Sequence, residues 1–309
     1  TVAREANSLV ILQGTTNLSP PTTAPRPATI SIEDIASVVI HGGNAADTLL
    51  LDKSLNTAGS KPSQLFKGRI FFHGHDAADV LDGRAITVGN FGVQFDGGEG
   101  NDLAQGGAEI DTLIGGAGND TLSGGKGSDI YRFADLAEDA VDEIDTLTEL
   151  SGTSEGAADV LDFSALTTAV IVKLTSETAL ATQAHRLVKT SATGTTKLAP
   201  NFEDANGGAG DDAILGNAAA NSLLGRAGRD IIIGGAGKDT LRGGNDDDTL
   251  IGGLGADSIF GDSGADLGLG GKGGIARGGS NKKDTGDVLD PSLEVIDETF
   301  ATVFAFESL

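Results

Sequence analysis

The sequence predicts an all-β protein: an elongated, right-handed parallel β-roll or β-solenoid, either continuous or in two abutting lobes. Glycine makes up 47 of the 309 residues and recurs at a spacing of nine over two long stretches. Triplets rich in Val, Ile and Leu stand between the glycines, which indicates tight turns separating very short strands. Aromatic residues make up only 4% of the chain, so a large globular core would be hard to build.

Eleven nine-residue units carry this pattern, in two arrays without insertions. The first array begins at Gly97 and reads GGEGNDLAQ, GGAEIDTLI, GGAGNDTLS and GGKGSDIYR. The second begins at Gly207 and reads GGAGDDAIL, GNAAANSLL, GRAGRDIII, GGAGKDTLR, GGNDDDTLI, GGLGADSIF and GDSGADLGL. The sixth position is Asp in ten units and Asn221 in the other, and the eighth is apolar in ten and Gly268 in the other. Such a strict period is typical of stacked repeats.

Each position of the unit has a physical role. Glycine at positions one, two and four can adopt backbone angles closed to other residues and lets carbonyl oxygens point inward. Aspartate at position six offers the hard carboxylate oxygen that calcium prefers. The triplet that follows is a short strand whose middle side chain faces the core. Two units make one turn of the coil, so each unit stacks on the next but one, with a calcium ion expected between the turns.

This stacking predicts which sixth-position residues face each other. The pairs are Asp102 with Asp120, Asp111 with Asp129, Asp212 with Asp230, Asp230 with Asp248, Asp239 with Asp257, and Asp248 with Asp266. The pair of Asn221 with Asp239 is predicted to be weaker, because one carboxylate is lost. Ile275 occupies the next partner position after Asp257, so we expect the ladder of metal sites to end there.

The units resemble the GGxGxDxUx nonapeptide of the RTX, or haemolysin-type calcium-binding repeat, family. The resemblance implies calcium ions held by sixth-position carboxylates and completed by backbone oxygens. The carboxylate ligands would be Asp102, Asp111, Asp120, Asp129, Asp212, Asp230, Asp239, Asp248, Asp257 and Asp266. The backbone ligands would be those of Gly98, Gly100, Gly107, Gly115, Ala117, Gly124, Lys126, Gly208, Gly210, Gly225, Ala227, Gly228, Gly234, Gly235, Ala236, Gly237, Gly243, Gly244, Asn245, Gly252, Leu254, Gly261 and Ser263. About six strong sites would carry roughly +12 against a net charge of −24, so folding and calcium binding would be coupled.

The arrays divide the chain into six predicted segments. They are an N-terminal strand and Pro-rich linker (1–28), a degenerate β-solenoid (29–96), the first β-roll array (97–132), a β-rich connecting segment (133–206), the second array (207–278) and a C-terminal cap or secretion-signal-like tail (279–309). The motif AAD[TV]L, which recurs outside the arrays, carries Asp47, Asp79 and Asp159. Neither Asp47 nor Asp79 has a partner with the same motif at the two-unit spacing, so whether these aspartates bind calcium stays open.

Alternating runs predict strands outside the arrays. They cover Thr29 to Val39, Ile70 to His73, Ala85 to Val88 and Ala169 to Leu174. Residues 133–150 have spacing that also suits a helix, but strand and loop are favoured because related RTX segments are extended there.

Two features lie at the ends of the chain. The apolar strand Ser8 to Gln13, with no obvious sheet of its own, precedes a linker with four of the seven prolines. It either folds back as an edge strand or is donated to another copy of the chain. The segment from Asp290 to Leu309 is acidic and then apolar; it resembles the uncleaved signal of type I secretion and could equally cap the solenoid.

Composition and motifs exclude several functions. The net charge of −24 argues against nucleic acid and anionic membranes as partners, and no apolar run is long enough to span a bilayer. A GxSxG match at 152–156 lacks the strand and helix of a nucleophile elbow. His73 and His75 are too few for a zinc site. We therefore expect no enzymatic activity.

The expected function is calcium binding outside the cell, with affinity in about the 10⁻⁴–10⁻³ M range of extracellular modules. Without a start Met or signal sequence, the chain is expected to be a processed product or part of a longer protein. One hypothesis is a structural protein of the cell surface that assembles into a fibre, sheath or surface layer. The alternative is the calcium-dependent folding and type I secretion module of a larger exoenzyme or toxin.

Overall fold

The computed structural model describes residues 2–5, 8–11, 37–51, 68–87, 91–137, 140–148, 158–176, 178–190, 202–270, 275–277 and 288–290. These residues form strands, turns and bends, with no helix among them. The chain divides into two compact units, 1–131 with 148–157 and 132–147 with 158–309. None of the described residues forms a helix with the length and apolarity needed to cross a bilayer.

The first unit is a coil whose successive strands alternate between two parallel sheets. Its strands are β1 (Val2–Glu5), β2 (Ser8–Ile11), β3 (Ser37–His41), β4 (Thr48–Leu50), β5 (Arg69–Asp76), β6 (Val80–Asp82), β7 (Val93–Glu99), β8 (Leu103–Gln105), β9 (Thr112–Ala117), β10 (Thr121–Ser123) and β11 (Ile130–Arg132). One sheet has the order β11-β9-β7-β5-β3 and the other β10-β8-β6-β4. Strands β1 and β2 form a separate antiparallel pair.

The second unit repeats this arrangement. Its strands are β12 (Glu143–Leu147), β13 (Val160–Asp162), β14 (Ile171–Lys173), β15 (Ala181–Gln183), β16 (Arg186–Thr190), β17 (Asp204–Asn206), β18 (Ala213–Leu215), β19 (Ser222–Ala227), β20 (Ile231–Ala236), β21 (Thr240–Asn245), β22 (Thr249–Leu254), β23 (Ser258–Ser263), β24 (Leu267–Leu269), β25 (Ile275–Arg277) and β26 (Val288–Asp290). One sheet has the order β25-β23-β21-β19-β17-β13, and the other runs from β26 through β24, β22, β20 and β18 to β14. Strands β14, β15 and β16 then form an antiparallel meander.

Strand register follows the nine-residue period. In the first array Thr121 pairs with Leu103, and in the second Ser258 pairs with Thr240, each across one turn of two repeat units. The apolar eighth-position side chains point into the coil, and those of Leu113, Leu122 and Ile232 are fully buried. The stacked parallel sheets confirm the prediction of an all-β parallel β-roll.

Turns before the first array are longer than two repeat units but keep the same stacking. Strand β5 pairs in parallel with β3 and β7, which brings Phe72 opposite Phe95. Their rings lie 5.7 Å apart in a fully buried core. Aromatic packing therefore fills the first turns, where the apolar triplets are less regular.

Three predictions about strands need correction. The run Ala85 to Val88 was predicted as a strand, but Arg84 and Ala85 form a turn in which Ile86 N donates to Gly83 O; Val88 lies outside the described residues. Strand β2 was expected to have no sheet of its own, yet β1 pairs with it. Ile275 pairs with Ser258 and not with Asp257, because the last turn is one residue shorter than the repeat.

Several other predictions lie outside the described residues. They concern the strand over Thr29 to Ala36, the Pro-rich linker, the GxSxG match at 152–156 and the apolar tail after Asp290. The segment after Phe133 contains β12, so its described part is strand and loop, as favoured.

Candidate calcium sites

The sixth-position aspartates form hydrogen-bonded ladders along the coil. In each ladder the backbone N–H of one aspartate donates to Oδ1 of the aspartate in the next turn. The N···Oδ1 distances are 2.8 Å for Asp102–Asp120, Asp111–Asp129, Asp212–Asp230 and Asp230–Asp248, and 3.0 Å for Asp239–Asp257 and Asp248–Asp266. Asn221 N donates to Asp239 Oδ1 in the same way, at 2.8 Å. The structure thus brings together all of the pairs that the nine-residue period predicts.

The second carboxylate oxygen of these aspartates tests whether the site fits a cation. The Oδ2 atoms of Asp102, Asp230, Asp239, Asp248 and Asp257 are buried and accept no hydrogen bond. Each of these residues is at most 2% exposed. A buried carboxylate oxygen without a partner is strongly unfavourable, so a cation at this position would relieve a large desolvation cost.

First-position glycines leave room beside these oxygens. A Cβ placed on Gly234 would lie 2.5 Å from Asp239 Oδ2 and 2.6 Å from Gly252 O, the carbonyl oxygen of the next turn. The carboxylate and the carbonyl therefore converge on the same small space. A Cβ on Gly97 or Gly225 would likewise meet its own unit's aspartate and a carbonyl of the following turn.

Further carbonyl oxygens face from one turn towards the next. The second- and fourth-position oxygens of Gly98 and Gly100 lie against Gly116 and Gly118 of the next turn. These glycines have positive φ, from 102° to 135°, which allows the close approach. The third-position oxygen of Ala117 accepts a hydrogen bond from Gly100 N at 2.8 Å. A carbonyl has two lone pairs, so this oxygen can also contact an ion.

The other backbone candidates occupy equivalent places. Some carbonyl oxygens lie against the first-position glycine one turn back; they belong to Gly115, Gly124, Gly225, Gly234, Gly243 and Gly252. Others lie against a second- or fourth-position glycine one turn on; they belong to Gly107, Gly210, Gly235 and Gly237. Gly208 O accepts a hydrogen bond from Ala227 N, and Leu254 O accepts one from Gly237 N. Lys126, Gly228, Ala236, Gly244, Asn245, Gly261 and Ser263 occupy the first to fourth positions of array units. Whether each of these oxygens binds calcium stays a prediction.

Burial and mutual repulsion make the ladder carboxylates weak acids when no cation is present. Burial, partly offset by a hydrogen bond from the Asp212 amide and reinforced by the charges of Asp212 and Asp248, raises the pKa of Asp230 to about 8. Burial likewise raises the pKa of Asp111, Asp239 and Asp248 to about 7. The ladder therefore holds negative charge at neutral pH only at a substantial cost.

The donor set fits calcium. The space between turns is lined by carboxylate and carbonyl oxygens, which are the hard ligands that calcium takes in sets of six to eight. No group of three or more His, Cys, Asp or Glu side chains in the described ranges could hold a metal alone. The repeat pattern implies that backbone oxygens complete each site. When bound, the ion supplies positive charge that neutralises the facing aspartates.

Sequence reasoning underrated two aspartates before the first array. Asp47 N donates to Asp79 Oδ1 at 2.6 Å, and Asp79 N donates to Asp102 Oδ1 at 2.7 Å, so both belong to the ladder. A comparison at the fixed two-unit spacing misses them, because these partners are 32 and 23 residues apart along the chain. The detectable signal was the shared AAD[TV]L motif with a glycine five residues before each aspartate. The amide of Asp159 donates to Glu203 Oε2 at 3.0 Å.

The imidazole rings of three histidines lie next to one another. His41 stacks on His73 and His75 with ring centroids 5.1 and 5.6 Å away, and His73 Nδ1 is 3.4 Å from Asp96 Oδ2. Their side chains remain partly or fully exposed. The interpretation of His73 and His75 as strand and loop residues agrees with their place at the end of β5.

Comparison with known proteins agrees with this geometry. The family described as RTX calcium-binding nonapeptide repeat (4 copies) matches residues 96–131, 206–241 and 242–274. A search of curated proteins finds no match to the chain. The matched residues contain the sixth-position aspartates of both arrays. The chain therefore contains RTX calcium-binding nonapeptide repeats, which occupy residues 96–131 and 206–274.

Proposed function

We propose that this protein is an extracellular calcium-binding protein that folds on export, has a structural role at the cell surface and has no catalytic activity of its own. The observation that carries the proposal is the ladder of buried carboxylates. Asp102, Asp230 and Asp248 each keep one oxygen without a hydrogen-bond partner, although each is at most 2% exposed. A fold that depends on filling such positions is stable only where calcium is abundant.

Calcium dependence suits a secreted protein. RTX repeats are typical of proteins exported by type I secretion. At cytoplasmic calcium levels, repulsion within the ladders would keep the chain unfolded and exportable. Calcium outside the cell would then drive the coil to form around about six or more ions.

The extent of the stacked strands along the chain supports the structural role. Repeats occur in both units, and the described residues outside them form further stacked strands. Among the described residues, the N-terminal pair β1 and β2 forms a sheet of two strands. Two-stranded sheets are marginal alone and have open edges, so this pair is the segment proposed to contact another copy of the chain.

Sedimentation velocity of the calcium-loaded protein tests the assembly. The full chain is compared with a variant lacking residues 1–28, both refolded into calcium after chelation. We expect large particles for the full chain and monomers for the truncated one. Full-length protein that stays monomeric in calcium would contradict a self-assembling role and favour a folding module for export. Equal particle sizes for both proteins would reject the N-terminal contact.

A further inference from the structure

The coil begins before the first recognised repeat. The family match starts at residue 96, yet the segments 42–50 and 74–82 lie two turns and one turn earlier on the same ladder. The amide of Asp79 donates to Asp102 Oδ1 at 2.7 Å. This is the contact that Asp102 makes to Asp120 at 2.8 Å within the array.

The backbone of 74–82 copies that of an array unit despite its different sequence. His75 and Ala77 occupy the second and fourth positions, where most repeats have glycine. Both nevertheless have positive φ, 80° and 73°, and His75 pairs in register with Gly98. Residues with a Cβ avoid this conformation, so the stacking must impose it.

The oxygens of this turn converge as they do in the array. Asp79 is fully buried, and its Oδ2 accepts no hydrogen bond. A Cβ placed on Gly74 would contact Asp79 Oδ2 and would lie 2.5 Å from Gly97 O. The carbonyl oxygens of His75 and Ala77 face the following turn, each against one of its glycines.

The turn before it is different. Asp47 is only partly buried, and its Oδ2 accepts a hydrogen bond from Gly43 N at 2.7 Å. Asp111, in the first unit of its own ladder, accepts the same bond from Gly107 N at 2.7 Å. Segment 42–50 therefore resembles the start of a ladder, and segment 74–82 resembles an interior turn.

We propose that a calcium ion binds between the turns 74–82 and 97–105, on the carboxylates of Asp79 and Asp102 and the carbonyl oxygens of His75, Ala77 and Gly97. The inference rests on the proposed calcium-driven folding of the recognised repeats. Because His75 and Ala77 must be held in a conformation that glycine adopts freely, this site is weaker than the site between 97–105 and 115–123, where Gly98 and Gly100 hold the equivalent positions. It fills after that site as calcium rises, and it extends the ordered coil upstream.

Hydrogen exchange during a calcium titration tests the site on the full chain. Amides of 69–82 report on the proposed site, and those of 112–131 report on the first array. In the wild-type protein we expect 69–82 to become protected at about tenfold higher calcium than 112–131. Asp79→Asn should abolish that protection and leave 112–131 unchanged. Asp76→Asn, which removes a partly exposed charge from the same turn, should behave as wild type.

A second variant tests the site by strengthening it. The double substitution His75→Gly and Ala77→Gly should lower the midpoint of 69–82 towards that of the array, by up to about tenfold. The inference is overturned if Asp79→Asn and wild type protect 69–82 at the same calcium concentration, or if 69–82 stays unprotected in wild type. If 112–131 and 213–260 also fail to respond, the proposed function fails together with it.

Discussion

Each ladder aspartate uses its two carboxylate oxygens differently. Oδ1 of Asp230 accepts the amide N–H of Asp212 at 2.8 Å, which ties one turn to the next. Oδ2 of the same residue is buried without a hydrogen-bond partner. The hydrogen bond to Oδ1 organises the coil even in the absence of metal. The buried Oδ2 without a hydrogen-bond partner makes the coil unstable in the absence of metal. One residue type therefore couples the geometry of the coil to the presence of a cation.

The raised pKa values predict an unusual pH dependence for the metal-free protein. The pKa of Asp102 is raised to about 6, that of Asp239 to about 7 and that of Asp230 to about 8, from 3.8 in the absence of burial. The folded state thus binds more protons than the unfolded state between about pH 4 and pH 8. Stability from these groups is fully present below pH 4 and is lost as pH rises through 6 to 8.

Thermal unfolding in a chelator between pH 5 and pH 8 measures this effect. We expect the metal-free protein to unfold in a transition at pH 5 whose Tm falls as pH rises, until little folded protein remains at neutral pH. The affinity of the folded protein for calcium rises over the same range, because protons compete with calcium for the same oxygens. A metal-free Tm that rises steadily over this range would show that the buried carboxylates do not titrate as described.

At the scale of the element, a turn and its following strand form one unit because the first-position glycine has no side chain. Gly234→Ala would place a methyl group 2.5 Å from Asp239 Oδ2 and 2.6 Å from Gly252 O. We expect this change to destabilise the calcium-loaded protein by about 1–3 kcal/mol and to raise the calcium concentration needed to order the second array. Thermal unfolding in saturating calcium and a calcium titration give the two values.

Gly43→Ala is the matched control. A Cβ at Gly43 would meet no atom within 4 Å. The same substitution should therefore leave stability unchanged or raise it by a few tenths of a kcal/mol. Equal losses in both variants would mean that the space beside Asp239 is not specifically needed.

Prediction from the sequence succeeded wherever the nine-residue period was intact. It placed the strands of both arrays, the two-unit register and the facing aspartates, because each position of the unit has one physical role. It was less successful where contacts between stacked turns, and not the local sequence, determine the backbone conformation. The interior turn that contains His75 and Ala77 was not predicted, since neither residue indicates a left-handed backbone by itself. Strand β14 lies within the predicted run Ala169 to Leu174, but β15, β16 and their antiparallel pairing escaped prediction, because they carry no repeat signal.

Buried ion pairs connect strand β12 with strand β16, the last strand of this antiparallel segment. Arg186 Nε is 2.6 Å from Glu143 Oε1 and 3.1 Å from Asp145 Oδ2, and all three side chains are at most 5% exposed. The guanidinium also lies 5.6 Å from the centre of the Phe133 ring. Here the chain supplies its own cation, the Arg186 guanidinium, between the carboxylates of β12 and strand β16.

For the whole molecule, charge decides when the coil can form. A net charge of −24 on 309 residues includes the carboxylates that stacking brings face to face. Apolar burial favours the coil at any calcium concentration, but repulsion and desolvation of the ladders oppose it until cations arrive. Two units containing such ladders should therefore respond to calcium together.

The most direct test is far-ultraviolet circular dichroism of the chelated protein at neutral pH during a calcium titration. We expect little β signal without calcium and a cooperative gain of β signal as calcium rises into about the 10⁻⁴–10⁻³ M range. A β signal that is already complete in chelator and does not change with calcium would contradict calcium-coupled folding. In that case the buried ladder oxygens would be satisfied in some way other than by calcium.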